Sequence, residues 1–370
     1  MAKIIPPKKI VYLIGAGATH AEAMYQGGHT VNLLMKDSDQ HGEGVCSRVL
    51  RNVDIPKRLN FQKENEIDIE KLISLLGSSS NARYRKIAED LRANYYKVIL
   101  SLLAKTGVLA KPELAMGILE MHKVQNFQNI ETLSGLIILN HDSLFPIASQ
   151  KIYGGVNLGF KFNSISYRYV PYEDGKEKNP LIIKLYGSFD WRNGIPINIV
   201  RLNSRSKYRN DMLWIPPSIL KESRDYPYNK LMGMAYELLA KRCDILRVIG
   251  CSLNQNDWNI ISLLFNSQYN QLFSKGTCFR IELIIDHKVG VRIQKDCSYL
   301  QNIIPIGFLS DGYFGHYKGD EKEGKEEELP KTSESNNPFM YWLKIKTNFH
   351  VKRNEIDIKN CKILKKIAEG

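Results

Sequence analysis

Short apolar runs alternate along this chain with longer segments of helical periodicity. The runs lie at residues 9–14, 133–139, 181–185, 244–249 and 280–285, and most of their side chains are β-branched or aliphatic. Continuous apolar runs of this length are typical of strands that are buried on both faces of a parallel sheet. Because helical segments separate the runs, the pattern predicts an α/β fold with a doubly wound, Rossmann-like parallel sheet.

The helical segments are predicted from apolar side chains at helical spacing. They cover residues 68–76, 82–105, 113–124 and 228–241, and another helix is expected to begin near Asp257. Because the first three follow the first apolar run, the sequence predicts a large helical insertion after the first strand, at about residues 41–126. Residues 153–172 are rich in glycine and partly alternating, which predicts a β-hairpin.

The composition changes towards the end of the chain. Residues 318–337 contain few apolar side chains and predict a charged linker or disordered loop between a domain at 1–317 and a basic C-terminal segment at 338–370. Residues 344–366 hold eight Lys and Arg and two acidic side chains. Such a run is typical of a solvated amphipathic segment, and a surface for nucleic acid or a partner is the alternative.

The overall composition is that of a globular protein, with 43% hydrophobic and 25% charged residues. The formal net charge of +13 favours nucleic acid, acidic partners or anionic cofactors as ligands. The six cysteines are scattered and form no CxxC pair, which argues against a zinc site or a disulfide framework and predicts a reducing, cytoplasmic environment; no metal is expected. No apolar run approaches the ~20 residues that span a bilayer, so we expect no membrane association.

A polar or glycine-containing cluster follows each of the predicted strands. The clusters are GAGAT at residues 15–19, NHD at 140–142, YGS at 186–188, GCS at 250–252, and Asp286. In an open parallel sheet, ligands bind beyond the carboxyl ends of the strands, so these clusters are expected to face one crevice. A glycine turn that leads into a helix accepts phosphate, and the sequence therefore predicts a dinucleotide site.

Taken in this order, the clusters resemble the motifs of the bacterial sirtuin-like family. GAGAT resembles its phosphate loop and Asn140-x-Asp142 its asparagine–aspartate signature. KLYGS at 184–188 resembles the K-L-H-G-S element, and GCSL at 250–253 with Asp257 resembles the G-x-S-L…D element. Residues 68–70 (DIE) and 214–217 (WIPP) stand where the family often has similar residues, so the likeness covers about residues 9–290.

The resemblance implies a fold, an activity and partners. Sirtuin-like domains of this kind belong largely to anti-phage defence proteins, in which they bind NAD⁺ and often hydrolyse it to ADP-ribose and nicotinamide. The resemblance therefore implies NAD⁺ as substrate or ligand, without zinc, in the domain at 1–317. It also implies a homo-oligomer or a partner protein of a defence system, and nucleic acid would then be contacted through that partner or through the basic segment.

The resemblance also assigns roles to the clusters. Asn140 would orient the nicotinamide ribose or the attacking water, and Asp142 would hold a ribose hydroxyl or the nicotinamide amide. The phosphates and the remainder of the dinucleotide would be held by residues of the other four clusters: Gly15, Ala16, Gly17, Thr19, Gly187, Ser188, Gly250, Ser252 and Asp286.

The main departure from the family pattern concerns the base, and Ile138 and Leu139 also stand where the family commonly has threonines. Tyr186 stands where the family has its histidine base, and a phenol with a pKa near 10 is a poor base at neutral pH. His141, beside Asn140, is a second candidate for the base. An NAD⁺ hydrolase is thus the first interpretation, and a module that only binds NAD or ADP-ribose, as a sensor or structural ligand, is the alternative.

A third interpretation is a Rossmann dehydrogenase. Residues 30–35 would then form the second strand, and Asp37 or Asp39 would bind the ribose about twenty residues after the glycines. His20 at the third glycine position of GxGxxG disfavours it, and the NHD, YGS and GCS clusters would have no role.

Overall fold

The strands and helices are taken from a computed structural model of the chain. It describes residues 6–27, 31–37, 42–55, 59, 67–163, 168–171, 179–193, 198–199, 206–209, 211–217, 227–305, 337–352, 354 and 356–369. Residues 318–336 of the predicted linker, and also Thr30 and Asp39, lie outside the described residues.

Six parallel strands form the central sheet. The strands of the whole described chain, including those of two smaller sheets, are β1 (Lys8–Ile14), β2 (Glu131–Ile138), β3 (Phe160–Asn163), β4 (Arg168–Pro171), β5 (Leu181–Lys184), β6 (Gly187–Arg192), β7 (Asn198–Ile199), β8 (Met212–Trp214), β9 (Ile245–Ile249), β10 (Arg280–Ile284) and β11 (Ile303–Pro305). The sheet order is β11-β10-β9-β1-β2-β5, and every neighbouring pair is parallel. Read from β5, this is the 3-2-1-4-5-6 order of doubly wound dinucleotide-binding folds.

Helices cover both faces of the sheet. The helices are α1 (Ala16–Gly27), α2 (Val45–Val53), α3 (Ile69–Gly77), α4 (Ala82–Thr106), α5 (Glu113–Lys123), α6 (Gln125–Gln128), α7 (Leu144–Tyr153), α8 (Tyr228–Arg242), α9 (Trp258–Lys275), α10 (His287–Asp296), α11 (Pro338–Lys352) and α12 (Lys362–Glu369). Val11 and Leu13 of β1 pack with α8, α9 and α10, whereas Tyr12 packs with α1, α5 and α11. The predicted α/β fold with buried parallel strands is therefore confirmed.

Between β1 and β2 the regular structure of the described residues is helical. α2, α3 and α4 form an apolar core of their own with the C-terminal half of α1. Residues 31–35 do not form the strand that the dehydrogenase interpretation requires. Their apolar side chains, Val31 and Leu33, pack into this helical core instead. Asp37 does not lie at a strand end, because its carboxylate accepts hydrogen bonds from the Gly44 amide and the Ser47 hydroxyl at the start of α2.

Two smaller antiparallel sheets accompany the parallel one. β3 and β4 pair as the hairpin that the glycine-rich stretch predicted. β6 lies between β7 and β8, and Phe189 and Trp214 of this sheet pack against α4. Because β6 follows β5 after a two-residue turn, the small sheet stands at the carboxyl edge of the large one.

The C-terminal helices differ from the expected solvated segment, because α11 and α12 complete one face of the core. Phe339, Trp342 and Leu343 of α11 and Leu364 of α12 are buried there. The lysines of α12 face outward at Lys362 and Lys365, and this division is what makes the segment amphipathic.

A buried ion network ties α11 to the sheet. Arg247 of β9 makes a bidentate pair with Glu131 at 2.7 Å and donates to Glu282 of β10 at 2.8 Å. Lys346 of α11 donates to the same Glu131 at 2.9 Å, and the guanidinium lies 5.5 Å from the Trp342 ring. Opposite charges in direct contact make burial of these groups tolerable. No helix in the described part of the chain combines the length and apolar character needed to cross a bilayer.

Candidate functional site

The ends of five strands lie in one row. Ile14 of β1 pairs with Ile138 of β2 and with Ile249 of β9, and the row continues to Lys184 of β5 and Ile284 of β10. The GAGAT and GCS clusters follow these residues directly, and the NHD cluster, the YGS cluster and Asp286 follow after one further residue, so all of them lie at the carboxyl edge of the sheet. The strand order reverses between β1 and β9, which is where doubly wound folds bind their ligands.

Asn140, in the loop after β2, is hydrogen-bonded to the GAGAT loop after the neighbouring strand β1. Its Nδ2 donates to the Gly15 carbonyl oxygen at 2.9 Å and lies 2.6 Å from the Thr19 hydroxyl oxygen. That hydroxyl in turn donates to Asp142 Oδ2 at 2.6 Å. The three side chains are at least nine-tenths buried. The amide nitrogen of Asn140 is thus occupied, while none of the residues that the structure describes donates to its Oδ1.

The glycines of the first and fourth clusters are needed for a close backbone approach. Gly15 N–H donates to Ile249 O and Gly17 N–H donates to Gly250 O, both within the chain. A Cβ at Gly15 would lie 2.6 Å from Cys251 Cα, and a Cβ at Gly250 would lie 2.1 Å from Ala18 N. Gly250 also has φ +61°, the left-handed region that favours glycine. The two loops therefore support each other, and these two N–H groups are directed at backbone and not at a phosphate.

Lys184 fixes the loop that carries Asn140 and Asp142. It is fully buried at the end of β5, and its Nζ donates to the carbonyl oxygens of Asn140, at 3.0 Å, and of Asp142. Burial lowers the pKa of this amine, and the charges of Asp142 and Asp190 partly oppose the shift. In the sequence, Lys184 stands out only as part of KLYGS, and its positioning role is visible in the structure alone.

Tyr186, after β5, is buried at the same carboxyl edge of the sheet. Burial raises the pKa of its phenol well above 10, and Asp257, Cys251 and Glu70 raise it further. The phenol is therefore protonated at neutral pH, so it can donate a hydrogen bond but does not act as a base.

His141 belongs to an aromatic cluster with residues of the small sheet. Its ring stacks on Phe189 at 5.3 Å between centroids and meets the Trp214 ring edge-on at 5.0 Å. Its Nε2 lies 2.7 Å from the carbonyl oxygen of Ile215. Because a carbonyl only accepts, this nitrogen carries the proton. The packing gives His141 a structural part in joining the NHD loop to β8.

Glu70 is a candidate that the predicted residue set did not contain. It lies in the first turn of α3, and its Oε2 accepts from Asn256 Nδ2 at 2.6 Å. Burial raises the pKa of Tyr95, and the charges of Glu70 and then Asp142 raise it further. Asn256 lies four residues after the GCS cluster, so this hydrogen bond joins the start of α3 to the loop that follows β9. The DIE motif at residues 68–70 was the signal in the sequence.

Four other residues that were predicted to bind the dinucleotide lie at the same edge of the sheet, and each is bonded to another part of the chain. Ser188 Oγ donates to the His141 carbonyl at 3.1 Å, and Gly187 pairs with Trp214 of β8. The Ser252 carbonyl accepts from Arg292 at 2.6 Å. Asp286 is exposed and caps the N-terminus of α10 through the Lys288 and Val289 amides, so the structure gives it a capping role.

Within the described residues, no three His, Cys, Asp or Glu side chains are placed to hold a metal ion. In comparisons with known proteins, no family model matches this chain and no curated protein matches it.

Proposed function

We propose that this chain is a sirtuin-like NAD⁺ hydrolase that acts in anti-phage defence by depleting NAD⁺ in the cytoplasm. The observation that carries the proposal is the hydrogen-bonded group of Asn140, Thr19 and Asp142 at the reversal of strand order. The amide oxygen of Asn140 is the acceptor left for a ribose hydroxyl or a water molecule. In this proposal the helices between β1 and β2 are an insertion into the sirtuin-like fold, and they bring Glu70 to the site.

The reaction suits these side chains. When water replaces nicotinamide at the ribose carbon, the C–N bond breaks and its electron pair neutralises the pyridinium ring, so the leaving group needs no proton. Positive charge develops on the ribose, and in this proposal the carboxylates of Asp142 and Glu70 stabilise it. The attacking water loses one proton, and Glu70 is the group we assign to accept it, because Tyr186 stays protonated. The products are ADP-ribose, nicotinamide and a proton.

Hydrolysis is tested by incubating the purified full-length chain with NAD⁺ and measuring nicotinamide and ADP-ribose by chromatography. We expect Asn140→Ala to lower the rate on the order of 100-fold, because it removes the acceptor that orients the reacting groups. Asn129→Ala is the matched control, since Asn129 is exposed and precedes β2 at the opposite edge of the sheet. Full activity in Asn140→Ala would contradict the proposal, as would a wild-type chain that neither binds nor cleaves NAD⁺.

The high pKa of Tyr186 favours a second candidate function, in which the chain binds NAD or ADP-ribose as a sensor or structural ligand without cleaving it. Calorimetric binding of NAD⁺ with no release of nicotinamide, unchanged when defence partners are added, would select this function. The dehydrogenase interpretation is not proposed, because residues 31–35 do not supply its second strand.

A further inference from the structure

Helix α9 carries an exposed aromatic face. We define it by Trp258, Phe265, Tyr269 and Phe273, together with Tyr299 after α10. Phe273 is 82% exposed, Trp258 64% and Tyr269 55%. The Phe265 ring lies 6.4 Å from Tyr269 and 6.1 Å from Tyr299, and Tyr269 lies 5.5 Å from Phe273. A contiguous group of large apolar side chains at the surface is typical of an interaction site.

The opposite side of α9 is already used by the fold. Ile260, Ile261 and Leu264 are buried against the sheet in the same core as Leu246 and Val248. The helix is therefore apolar on both sides, and only one side finds its partner within a single chain. Covering the aromatic face with a second surface would remove its apolar area from water.

The aromatic face carries no charge. The sequence of α9 contains no charged residue before Lys275, although a quarter of the chain is charged. Next to it, a groove of about 850 Å³ runs between α8 and α9 and is lined by uncharged side chains such as Asn229, Met232 and Asn266. A complementary surface must be uncharged as well, and the same face of a second copy meets this requirement.

The geometry and the area also fit a second copy. Phe265, Tyr269 and Phe273 are spaced four residues apart, so they form one ridge that can interdigitate with the same ridge of a two-fold-related helix. At roughly 200 Å² for each aromatic side chain, the exposed parts of the five residues amount to about 600 Å². A stable interface buries about 800 Å² per partner, and the uncharged side chains of α8 that line the groove, such as Asn229 and Met232, add to the aromatic area.

We propose that the aromatic face of α9 is the interface of a two-fold homodimer. Helix α9 begins directly after Asn256 and Asp257, and Asn256 is the residue that donates to Glu70. Pairing of two α9 helices thus fixes the helix terminus that adjoins the candidate site. The interface itself does not depend on the proposed reaction, because oligomeric state is measured without NAD⁺.

The experiment is sedimentation velocity of the full-length chain over a concentration series. We expect wild type to be a dimer, and Tyr269→Glu or Phe273→Glu to raise the dimer dissociation constant on the order of 100-fold by placing an unpaired charge in the interface. Tyr84→Glu is the matched control, because Tyr84 is an exposed aromatic residue on α4, outside this face, and should leave the dimer intact.

Two further variants test whether a loss of the dimer reflects this surface and not misfolding. Asn266→Arg removes no aromatic residue but adds a charge beside the face, and it should also favour the monomer. Tyr269→Cys should form a disulfide with its own copy on mild oxidation, whereas Tyr84→Cys should not. A wild-type monomer at about 100 µM, a concentration far above a micromolar dissociation constant, would overturn the proposal. An oligomer that forms equally well in all the α9 variants would overturn it too.

Discussion

Replacing Lys184 with methionine tests whether the hydrogen bonds of this lysine hold the NHD loop in position. The ammonium is fully buried and donates to the carbonyl oxygens of Asn140 and Asp142. Methionine has a similar length and no donor, so both acceptors lose this partner. A buried acceptor left without a partner destabilises by about 1–3 kcal/mol, or about 2–6 kcal/mol for two.

Part of this loss is offset. Burying an ammonium is itself unfavourable by several kcal/mol, and the variant no longer does so. We therefore expect a net decrease of about 2 kcal/mol in the free energy of unfolding, measured by urea titration with tryptophan fluorescence. Activity should fall further than stability, at least ~10-fold under conditions where the variant is folded, because a displaced loop misorients Asn140.

Lys151→Met is the matched control, since Lys151 is an exposed lysine on α7. It should change the free energy of unfolding by no more than about 0.5 kcal/mol. If Lys184→Met unfolds at the same urea concentration as Lys151→Met, the two hydrogen bonds do not support the loop. If Lys184→Met is destabilised but keeps full NAD⁺ turnover, the loop position does not govern the activity.

Three other changes test the fold around the site. Gly250→Ala should destabilise by at least ~3 kcal/mol, because its Cβ would lie 2.1 Å from Ala18 N at φ +61°. Arg247→Met should destabilise the protein by about 3–5 kcal/mol, because the carboxylates of Glu131 and Glu282 stay buried without their main cation. Burial raises the pKa of Glu22 from 4.5 to about 7, so its contribution to stability is present below pH 4.5 and is lost as the pH rises to about 7. Relative to Glu22→Gln, wild type should lose about 3 kcal/mol over this interval, as measured by urea unfolding at each pH.

Each of these three predictions would be contradicted by a specific result. A Gly250→Ala variant as stable as wild type would mean that the two glycine loops are not in close contact. An Arg247→Met variant that is more stable than wild type would show that desolvation outweighs pairing in the network. A pH-independent difference between wild type and Glu22→Gln would show that Glu22 keeps its ordinary pKa in the folded chain.

Much of the fold is readable from local patterns. The run at 9–14 corresponds to Lys8–Ile14, the helix expected at 82–105 to Ala82–Thr106, and the helix at 228–241 to Tyr228–Arg242. Burial on both faces requires continuous apolar strands, and one-sided packing requires helical periodicity, so both leave their signature in neighbouring residues. The C-terminal helices were not predicted as part of the core, because their lysine content is typical of a solvated helix although their apolar side is buried.

The candidate site was predictable only in outline. Glycines and polar residues that follow buried strands indicated the edge at which Asn140 and Asp142 lie. The partners of those residues could not be read in the same way. Lys184 is 44 residues from Asn140 along the chain, and Glu70 is 186 residues from Asn256. Such distant pairs leave no local pattern.

By itself, the sequence determined five of the six strands of the parallel sheet and the five helices predicted above, and showed that each of those five strands is followed by a polar or glycine cluster. These properties depend on burial and backbone preference over a few neighbouring residues. Only the tertiary structure decided that Gly15 and Gly250 serve a close contact between two loops, that Lys184 donates to the NHD carbonyls, and that Glu70 accepts a hydrogen bond from Asn256. The reason is physical: those roles are set by the order of strands in the sheet and by contacts between residues far apart in the chain.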